Sequence, residues 1–301
     1  MASWIYVDRR FRAFIQNIQL TTLQVDDGNT KIASVTKCLN QAYWGSDSPS
    51  ANSFTIGSWG KGTAVRPPRD VDLYFVLPSD VFWRFEQYSA DVNKQSALLQ
   101  EVKRKLLSTF SRSDIKGDGP VVIAAFTSYD IEVVPAFVLD AAASSYWVCD
   151  TKNGGSYIKT MPHAEASIIS ANDLIFGGKL RHLIQMMKTW QAHRSVPMKS
   201  FHLELLATDF MQNWAYQHQS YFFYDWMCRD FFVWLTTKAH ATLYRPGTYE
   251  AVHVGDAWLS KARTAAIEAG AACINEEQNW NALAGSDWQN IFGNMIPCIA
   301  T

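Results

Sequence analysis

A short β-type run contains two acidic residues that alternate with apolar residues, Asp70-Val71-Asp72-Leu73. Side chains two residues apart on a strand point to the same face, so Asp70 and Asp72 project together while Val71 and Leu73 face a core. Two like charges about 4 Å apart repel by about 4 kcal/mol at an effective dielectric constant of 20. Such a pair is unfavourable unless a proton or a cation lies between the carboxylates. The run therefore predicts a strand that forms part of a site.

A second acidic pair with the same spacing, Asp130 and Glu132, lies on a later predicted strand. Carboxylates clustered on adjacent strands suit hard divalent cations that bind through oxygen, Mg²⁺ in particular. Taken alone, however, an Asp-x-Asp pair is more often a solvated strand face. The choice between a site and a solvated face depends on what surrounds the pair.

A glycine-rich segment precedes the first acidic pair, with three glycines within six residues, Gly57, Gly60 and Gly62. Glycines leave backbone N–H groups unobstructed and able to approach phosphate oxygens, and Ser58 and Lys61 add further donors. The segment departs from the G-x-x-x-x-G-K-[ST] phosphate loop, because Thr63 stands where that pattern has Lys. We therefore predict a phosphate-binding loop of another kind beside the carboxylates.

The periodicity of apolar residues predicts an α+β chain in two lobes. Helical patterns fill the first 50 residues, with a turn predicted at Asp26-Asp27-Gly28-Asn29. Four β-type runs follow, at residues 54–56, 71–77, 121–126 and 129–137. Between the second and third of them lies a helical stretch that breaks near residues 91–94. After residue 155 the patterns are mainly helical, near residues 170–175, 178–193, 201–218, 224–238 and 254–272.

The composition excludes one large class of function. The chain has 27 Lys and Arg residues against 28 Asp and Glu residues, whereas a protein that coats DNA or RNA carries a basic excess. No apolar run approaches the roughly 18 residues of a membrane span, and no signal segment is present, so we expect a cytoplasmic protein. The five cysteines are scattered without a C-x-x-C pair, which predicts free thiols and no thiolate zinc site.

Four motifs occur in order along the chain: Gly57-Ser58, Lys61-Gly62-Thr63, Asp70-x-Asp72 and Glu132-Val133-Val134-Pro135-Ala136-Phe137. In these motifs the chain resembles the polymerase-β-type nucleotidyltransferases, in the branch of oligoadenylate synthetase and cyclic GMP-AMP synthase. It resembles most of all the bacterial CD-NTases (cGAS/DncV-like nucleotidyltransferases) of CBASS anti-phage defence. The resemblance implies a bilobed polymerase-β-like fold: a catalytic lobe with a palm-like mixed sheet and N-terminal helices in residues 1–165, and a helical nucleotide-binding lobe in residues 166–301.

The resemblance also implies the residues of the active site. Asp70, Asp72 and Glu132 would be the catalytic carboxylates and would hold two Mg²⁺ ions, for which Mn²⁺ can substitute. Glu132 stands where many relatives have Asp, and Asp130 shares its face as the alternative third carboxylate. The loop residues implied to bind the nucleotide are Gly57, Ser58 and Lys61.

The predicted helix at residues 178–193 has a polar edge beside its apolar stripe, formed by Arg181, Gln185 and Lys188. The pattern alone favours a solvated lysine at position 188, but the resemblance implies that Lys188 reaches the triphosphate of the donor nucleotide. Arg181 is a further candidate contact to base or phosphate. The pattern predicts Ser200 as a helix N-cap, and the resemblance adds a phosphate contact. Phe201 would stack on the base, where relatives often have Tyr.

The activity implied by the resemblance is the joining of nucleoside triphosphates, ATP with or without GTP, into a cyclic di- or trinucleotide. The chemistry would be two-metal phosphoryl transfer with release of pyrophosphate. A linear oligonucleotide synthase, an RNA nucleotidyltransferase and a catalytically silent nucleotide-binding scaffold are the alternatives. Implied partners are a downstream effector of the cyclic nucleotide and, in some members, a HORMA-type or conjugating regulator. Long nucleic acid is not expected as an activator, and the tail at residues 297–301 is expected to be exposed.

Overall fold

The computed structural model describes residues 5–111 and 113–301 of the chain. The helices of its first part are α1 (Ile5–Ile18), α2 (Thr22–Trp44), α3 (Gly57–Gly60), α4 (Ser79–Glu86) and α5 (Lys94–Thr109). The strands of that part are β1 (Ser53–Thr55), β2 (Asp70–Val76), β3 (Asp114–Asp118), β4 (Val121–Ala125), β5 (Asp130–Asp140), β6 (Ser145–Asp150) and β7 (Ser156–Thr160). The second part consists of α6 (Pro162–Ile175), α7 (Lys179–His193), α8 (Ser200–Asn213), α9 (Tyr224–Leu235), the hairpin strands β8 (Thr242–Tyr244) and β9 (Ala251–His253), α10 (Leu259–Glu277) and α11 (Asn281–Phe292).

The strands of the first part form one mixed sheet in the order β1-β2-β5-β4-β3, with β6 beside β5 and β7 beside β6. Strands β2 and β5 run parallel to each other, and the other pairs of this sheet are antiparallel. The predicted α+β class with a mixed sheet is confirmed. Because β2 and β5 are parallel neighbours in register, their acidic N-terminal ends lie side by side.

Two large hydrophobic cores hold the molecule together. The first lies between the sheet and helices α2, α4 and α5, and it takes up Val71, Leu73 and Val133 from the inner face of the strands. The second fills the helical part of the chain and includes Phe11 and Phe14 of α1. Helix α1 therefore packs with the elements that follow residue 165, although it precedes the sheet in sequence. The division at residue 165 itself stays a prediction.

The predicted break in the helical stretch after β2 is confirmed, but the predicted turn at residues 26–29 is wrong. Helix α2 passes through these four residues without interruption. It begins earlier, because Thr21 and Gln24 form a capping box in which each side chain bonds the other residue's backbone N–H. Gly28 lies against another part of the fold: a Cβ atom there would fall 2.4 Å from the ring of Trp59. The glycine thus serves a close contact and not a turn.

The sequence patterns assigned no element to residues 156–160, and in the structure Ser156–Thr160 forms strand β7 on the edge of the sheet. Aromatic contacts hold this strand in place: Tyr157 stacks on Trp147 with ring centres 5.9 Å apart, and Trp147 stacks on Phe82 at 5.5 Å. Neither contact is visible in the local pattern of the sequence. The patterns also missed β3, β6, the hairpin strands β8 and β9, and α11.

The segment at residues 297–300 is bonded to α1 and α11, so the expectation of an exposed tail is wrong for Pro297, Cys298 and Ala300, whereas Ile299 and Thr301 are exposed. The fully buried guanidinium of Arg10 donates to the carbonyl oxygens of Pro297 and Cys298 at 2.6 Å each. Asn281 exchanges two hydrogen bonds with the backbone of Ala300. The physical reason is that a buried guanidinium needs acceptors for its five N–H groups, and this segment supplies two of them.

All five cysteines are free thiols, as the sequence predicts, and Cys298 is less buried than the other four. Within the described ranges, no helix is both long and apolar enough to cross a membrane.

Candidate active site

The parallel register of β2 and β5 pairs Asp70 with Asp130 and Asp72 with Glu132. All four acidic residues are half-buried. Val71, which lies between Asp70 and Asp72 in sequence, is fully buried on the other face of the sheet. The structure thus brings together the three predicted catalytic carboxylates on one patch of the sheet. It places Asp130 on the same patch, next to Asp70 and one step away from Asp72.

The carboxylate of Asp72 is held in its protonated form more strongly than a free aspartic acid. Burial and the neighbouring charge of Asp70 raise the pKa of Asp72 to about 6, while Lys61 and Lys188 act in the opposite direction. A divalent cation would favour the ionised form, and carboxylate oxygens on adjacent strands are the donors that Mg²⁺ prefers. Among the described residues the side chains do not yet surround one point as three or more metal ligands. The fit to a hard cation therefore rests on the oxygen chemistry of these residues and on their adjacent backbone positions, and not on an assembled ligand geometry.

The two candidates for the third carboxylate can be separated by one pair of variants. Because Glu132 is the direct neighbour of Asp72, we expect Glu132→Gln to lower the rate of nucleotide incorporation by about 100-fold, or about 2.7 kcal/mol in the activation free energy. Asp130→Asn, at the outer end of the patch, serves as the matched control with a loss below about 10-fold. Initial rates with labelled nucleotide measure both. A larger loss at Asp130 would contradict the assignment.

The predicted phosphate loop is a single helical turn, α3, that follows β1 and packs on β2. The backbone N–H groups of Gly60 and Gly62 donate inside this turn, to Ile56 and Trp59, so the expectation that they are open to phosphate is wrong. Gly57 has a different role: its φ is +57°, and a Cβ atom there would fall 1.7 Å from Oδ2 of Asp72. Only glycine lets the loop approach the carboxylate this closely.

Trp59 lies inside the loop but points away from the carboxylates. Its ring packs against Gly28 of α2 and lies 6.0 Å from the ring of Tyr129. Trp59 thus fastens the loop to the first core.

The two lysines predicted to bind phosphate converge on one buried carboxylate. Lys61 of the loop donates to Oε2 of Glu204 at 2.9 Å and to Glu165 at 2.8 Å. Lys188 of α7 donates to Oε1 of Glu204 at 2.7 Å and to the hydroxyl of Thr63 at 2.8 Å. Lys61, Lys188 and Glu204 are each no more than 7% exposed. A solvated helix lysine is therefore excluded at position 188.

The polar edge of α7 forms hydrogen bonds with the backbone at the C-terminal end of the loop. Nε of Arg181 donates to the carbonyl oxygen of Lys61 at 2.8 Å, and the amide of Gln185 donates to the carbonyl oxygen of Ala64 at 3.2 Å. The other two nitrogens of Arg181 donate to Asp173 and to the hydroxyl of Ser170, both on α6. Arg181 thus serves to position the loop, and each of its three nitrogens makes one of these hydrogen bonds. The helix and the loop are one connected unit across the two cores.

Helix α8 places the remaining predicted residues. It begins at Ser200, so Lys199 and not Ser200 occupies the cap position, and the hydroxyl of Ser200 donates to Gln191 of α7 at 2.9 Å. The ring of Phe201 is half-buried, with the guanidinium carbon of Arg245 at 4.5 Å and Nζ of Lys61 at 5.2 Å from its centre. A cavity of about 220 Å³ opens beside Phe201. Apolar residues of α6, α8 and the hairpin line one part of it, and charged or polar side chains line the rest; the apolar ones are Ile168, Ile169, Leu205, Leu243, Tyr244 and Pro246.

The sequence patterns missed the acidic partners of the lysines, Glu204 on α8 and Glu165 on α6. One signal was available for Glu204, which stands among the apolar residues Leu203, Leu206 and Ala207. A charged residue on a buried helical face needs a partner, so its position called for a cation nearby.

A family model for the Second Messenger Oligonucleotide or Dinucleotide Synthetase domain matches residues 5–172, more than half of the chain. The chain belongs to this family. The family match includes the whole sheet, the loop and the carboxylate patch. A curated relative is a probable cyclic nucleotide synthase from Bacillus cereus, 24% identical over 220 residues. The chain covers 64% of that relative's length, and the aligned region is 64% of the chain.

Solved structures resemble this member of the family over most of its length. CdnC of E. coli, in a complex with HORMA-deltaN, matches with a TM-score of 0.68 and 17% identity, over 95% of this chain and 97% of that one. DncV of Vibrio cholerae, with ATP and GTP, matches with a TM-score of 0.66 and 14% identity, over 81% of this chain and 70% of that one. The predicted polymerase-β-like nucleotidyltransferase fold and the predicted bacterial CD-NTase family are thus confirmed.

Proposed function

We propose that the protein is a cyclic oligonucleotide synthase that joins nucleoside triphosphates into a cyclic di- or trinucleotide. The observation that carries the proposal is the register of β2 and β5, in which Asp72 lies beside Glu132 and close to Asp70. These carboxylates lie next to the loop that α7 binds, and the chain belongs to this family. Relatives support the choice of substrate. CdnC of E. coli has been solved with ATP, and DncV of Vibrio cholerae with the linear intermediate pppA(3′,5′)pG. We propose ATP, with or without GTP, as the substrate.

In this proposal Asp70, Asp72 and Glu132 hold two Mg²⁺ ions, or Mn²⁺ in their place. When bound, the ions supply the charge that offsets the triphosphate and the leaving pyrophosphate, and they promote ionisation of the attacking hydroxyl. The reaction joins a ribose hydroxyl oxygen of one nucleotide to the α-phosphorus of another. The bond from that phosphorus to the β-phosphate oxygen breaks, and the hydroxyl proton is released.

The loop and the two helices of the second core would hold the nucleotide. The amides of the C-terminal half of the loop are used inside its turn, so we assign the loop's phosphate contacts to Gly57 and the hydroxyl of Ser58. Lys61 of the loop, Lys188 of α7 and Ser200 of α8 would complete the contacts. Phe201 would stack on a base, and the cavity beside it offers room for a planar ring.

The proposal extends to partners. We propose that the product acts on a downstream effector in anti-phage defence. A HORMA-type protein is the first candidate for a regulator, since the structure of CdnC includes one, and a conjugating enzyme is the second.

One experiment tests the activity directly. We expect the purified protein, incubated with all four ribonucleoside triphosphates and Mg²⁺ or Mn²⁺, to release pyrophosphate and form a product that phosphatase does not degrade, because a cyclic product has no terminal phosphate. Mass spectrometry of the resistant product gives its bases and ring size. A product that loses phosphates would show a linear oligonucleotide synthase. Failure to release pyrophosphate with any nucleotide mixture would show a silent scaffold and overturn the proposal.

A further inference from the structure

Glu204 is one member of a row of alternating charges that runs from the buried Lys188 to the exposed Glu250. Five salt bridges of 2.7–3.0 Å join six side chains from α7, α8, the loop, α6 and the β8–β9 hairpin, in the order Lys188, Glu204, Lys61, Glu165, Arg245 and Glu250. The outer end is exposed, while Glu204 and its two lysines are buried. An exposed pair contributes little to stability, but a buried charge that loses its partner costs several kcal/mol.

Both oxygens of Glu204 are used. Oε1 accepts from Lys188 at 2.7 Å and from the hydroxyl of Thr63 at 3.2 Å, and Oε2 accepts from Lys61 at 2.9 Å. One carboxylate therefore sets the positions of an ammonium group on the loop and an ammonium group on α7. Lys61 has a second carboxylate partner in Glu165, whereas within the described residues Lys188 forms a salt bridge only with Glu204.

We propose that Glu204 is a positioning residue for the triphosphate, which it serves by holding Lys61 and Lys188 in place and by keeping Lys188 in its charged form. The inference rests on the proposed function, since it concerns the same triphosphate site. Glu204 itself does not contact the substrate. It acts through the two lysines, which donate to different oxygens of its carboxylate.

This role of Glu204 predicts that the affinity for phosphate depends on pH. Burial lowers the pKa of Lys188, and Glu204 opposes this effect. The charged groups that face Lys188 are Glu204 of α8, Lys61 of the loop and Asp72 of β2. An ammonium group is charged below its pKa and loses its charge as the pH rises through that value. Removal of the Glu204 charge lowers the pKa of Lys188 further, so phosphate affinity should fall as the pH rises.

Binding of inorganic tripolyphosphate with Mg²⁺, measured by isothermal titration calorimetry at pH 7 and pH 9, tests the inference without reference to the base. We expect Glu204→Gln to bind about 10-fold more weakly than the wild type at pH 7 and about 100-fold more weakly at pH 9, steps of about 1.4 kcal/mol each. The ratio to the wild type at each pH removes the titration of the probe itself. Glu204→Asp, which keeps the charge, should recover much of the affinity.

Glu165→Gln is the matched control, because Glu165 pairs with Lys61 but has no bond to Lys188. We expect a loss of about 3-fold that is equal at the two pH values. A second comparison, of Lys188→Met with the double variant Lys188→Met/Glu204→Gln, leaves no unpaired ammonium at position 188 and reports even if Glu204→Gln alone does not fold. These two variants should show the same pH dependence.

The outcomes separate this inference from the proposed function. Three outcomes would overturn the role of Glu204 and leave the proposed function standing. They are wild-type affinity in Glu204→Gln, a loss of affinity that is equal at pH 7 and pH 9, and a pH-dependent loss that Glu204→Gln still adds in the Lys188→Met background. A wild-type protein that does not bind tripolyphosphate at all would overturn the triphosphate site and the proposed function with it.

Discussion

Pyrophosphate release is expected to stop when Asp70 and Asp72 are both replaced by Asn. Metal-assisted stabilisation of transition-state charge is worth several kcal/mol, and a loss of about 4 kcal/mol lowers the rate by about 1000-fold. The melting temperature should stay the same or rise, because the substitution removes two like charges from one half-buried patch. A pyrophosphate-coupled assay and a thermal melt measure the two effects on the same sample.

Asn keeps nearly the shape of Asp, so a loss of activity without a loss of stability points to charge and not to packing. A useful control is Asp140→Asn, since Asp140 is an exposed aspartate at the far end of β5. This control should retain full activity. If the double variant still released pyrophosphate at a tenth of the wild-type rate or faster, the carboxylates would not be the metal ligands.

Replacement of Gly57 by Ala is expected to lower the rate of product formation by about 100-fold. The new Cβ atom would lie 1.7 Å from Oδ2 of Asp72, so either the loop or the carboxylate must move. A displacement of about 1 Å at a catalytic group can cost on the order of 100-fold in rate. The positive φ adds a loss of about 1–2 kcal/mol in the free energy of unfolding.

The variant Gly45→Ala separates the effect of the positive φ from the effect of the close approach to Asp72. Gly45 also has a positive φ, of +63°, but a Cβ atom there would meet nothing within 4 Å. The control should lose a similar amount of stability in a urea titration and none of its activity. Equal activity of Gly57→Ala and Gly45→Ala would show that the approach of the loop to Asp72 has no catalytic role.

The strand with the two aspartates was predictable because its signal is local. Alternation with a period of two fixes which side chains share a face, and β2 shows that face as Asp70, Asp72 and the buried Tyr74. The pairing with β5 was not fixed by the period, and it required the family motif around Glu132. The register then followed from the parallel alignment of the two strands.

The partners of the lysines could not be predicted because they come from distant parts of the chain. Lys61 and Glu204 are 143 residues apart in sequence, and no local pattern relates them. The same holds for Trp59 and Gly28, whose contact made a glycine in the middle of a helix resemble a turn. In both cases tertiary packing decided the role of a residue whose type alone pointed elsewhere.

The position of α1 has a consequence for synthesis of the protein on the ribosome. Arg10 of α1 bonds Glu276, Asn281 and the carbonyl oxygens at 297 and 298, so this helix finds these partners among residues translated 266 to 288 positions later. The sheet and the helices packed on it end by residue 160. They can pack before the partners of Arg10 are translated, since domains generally fold as they emerge. We expect a nascent chain stopped near residue 270 to protect the sheet from proteolysis, while α1, which can already pack on α7 and α9, still lacks the partners of Arg10. The phosphate loop, which needs α7 and α8, would already be in place.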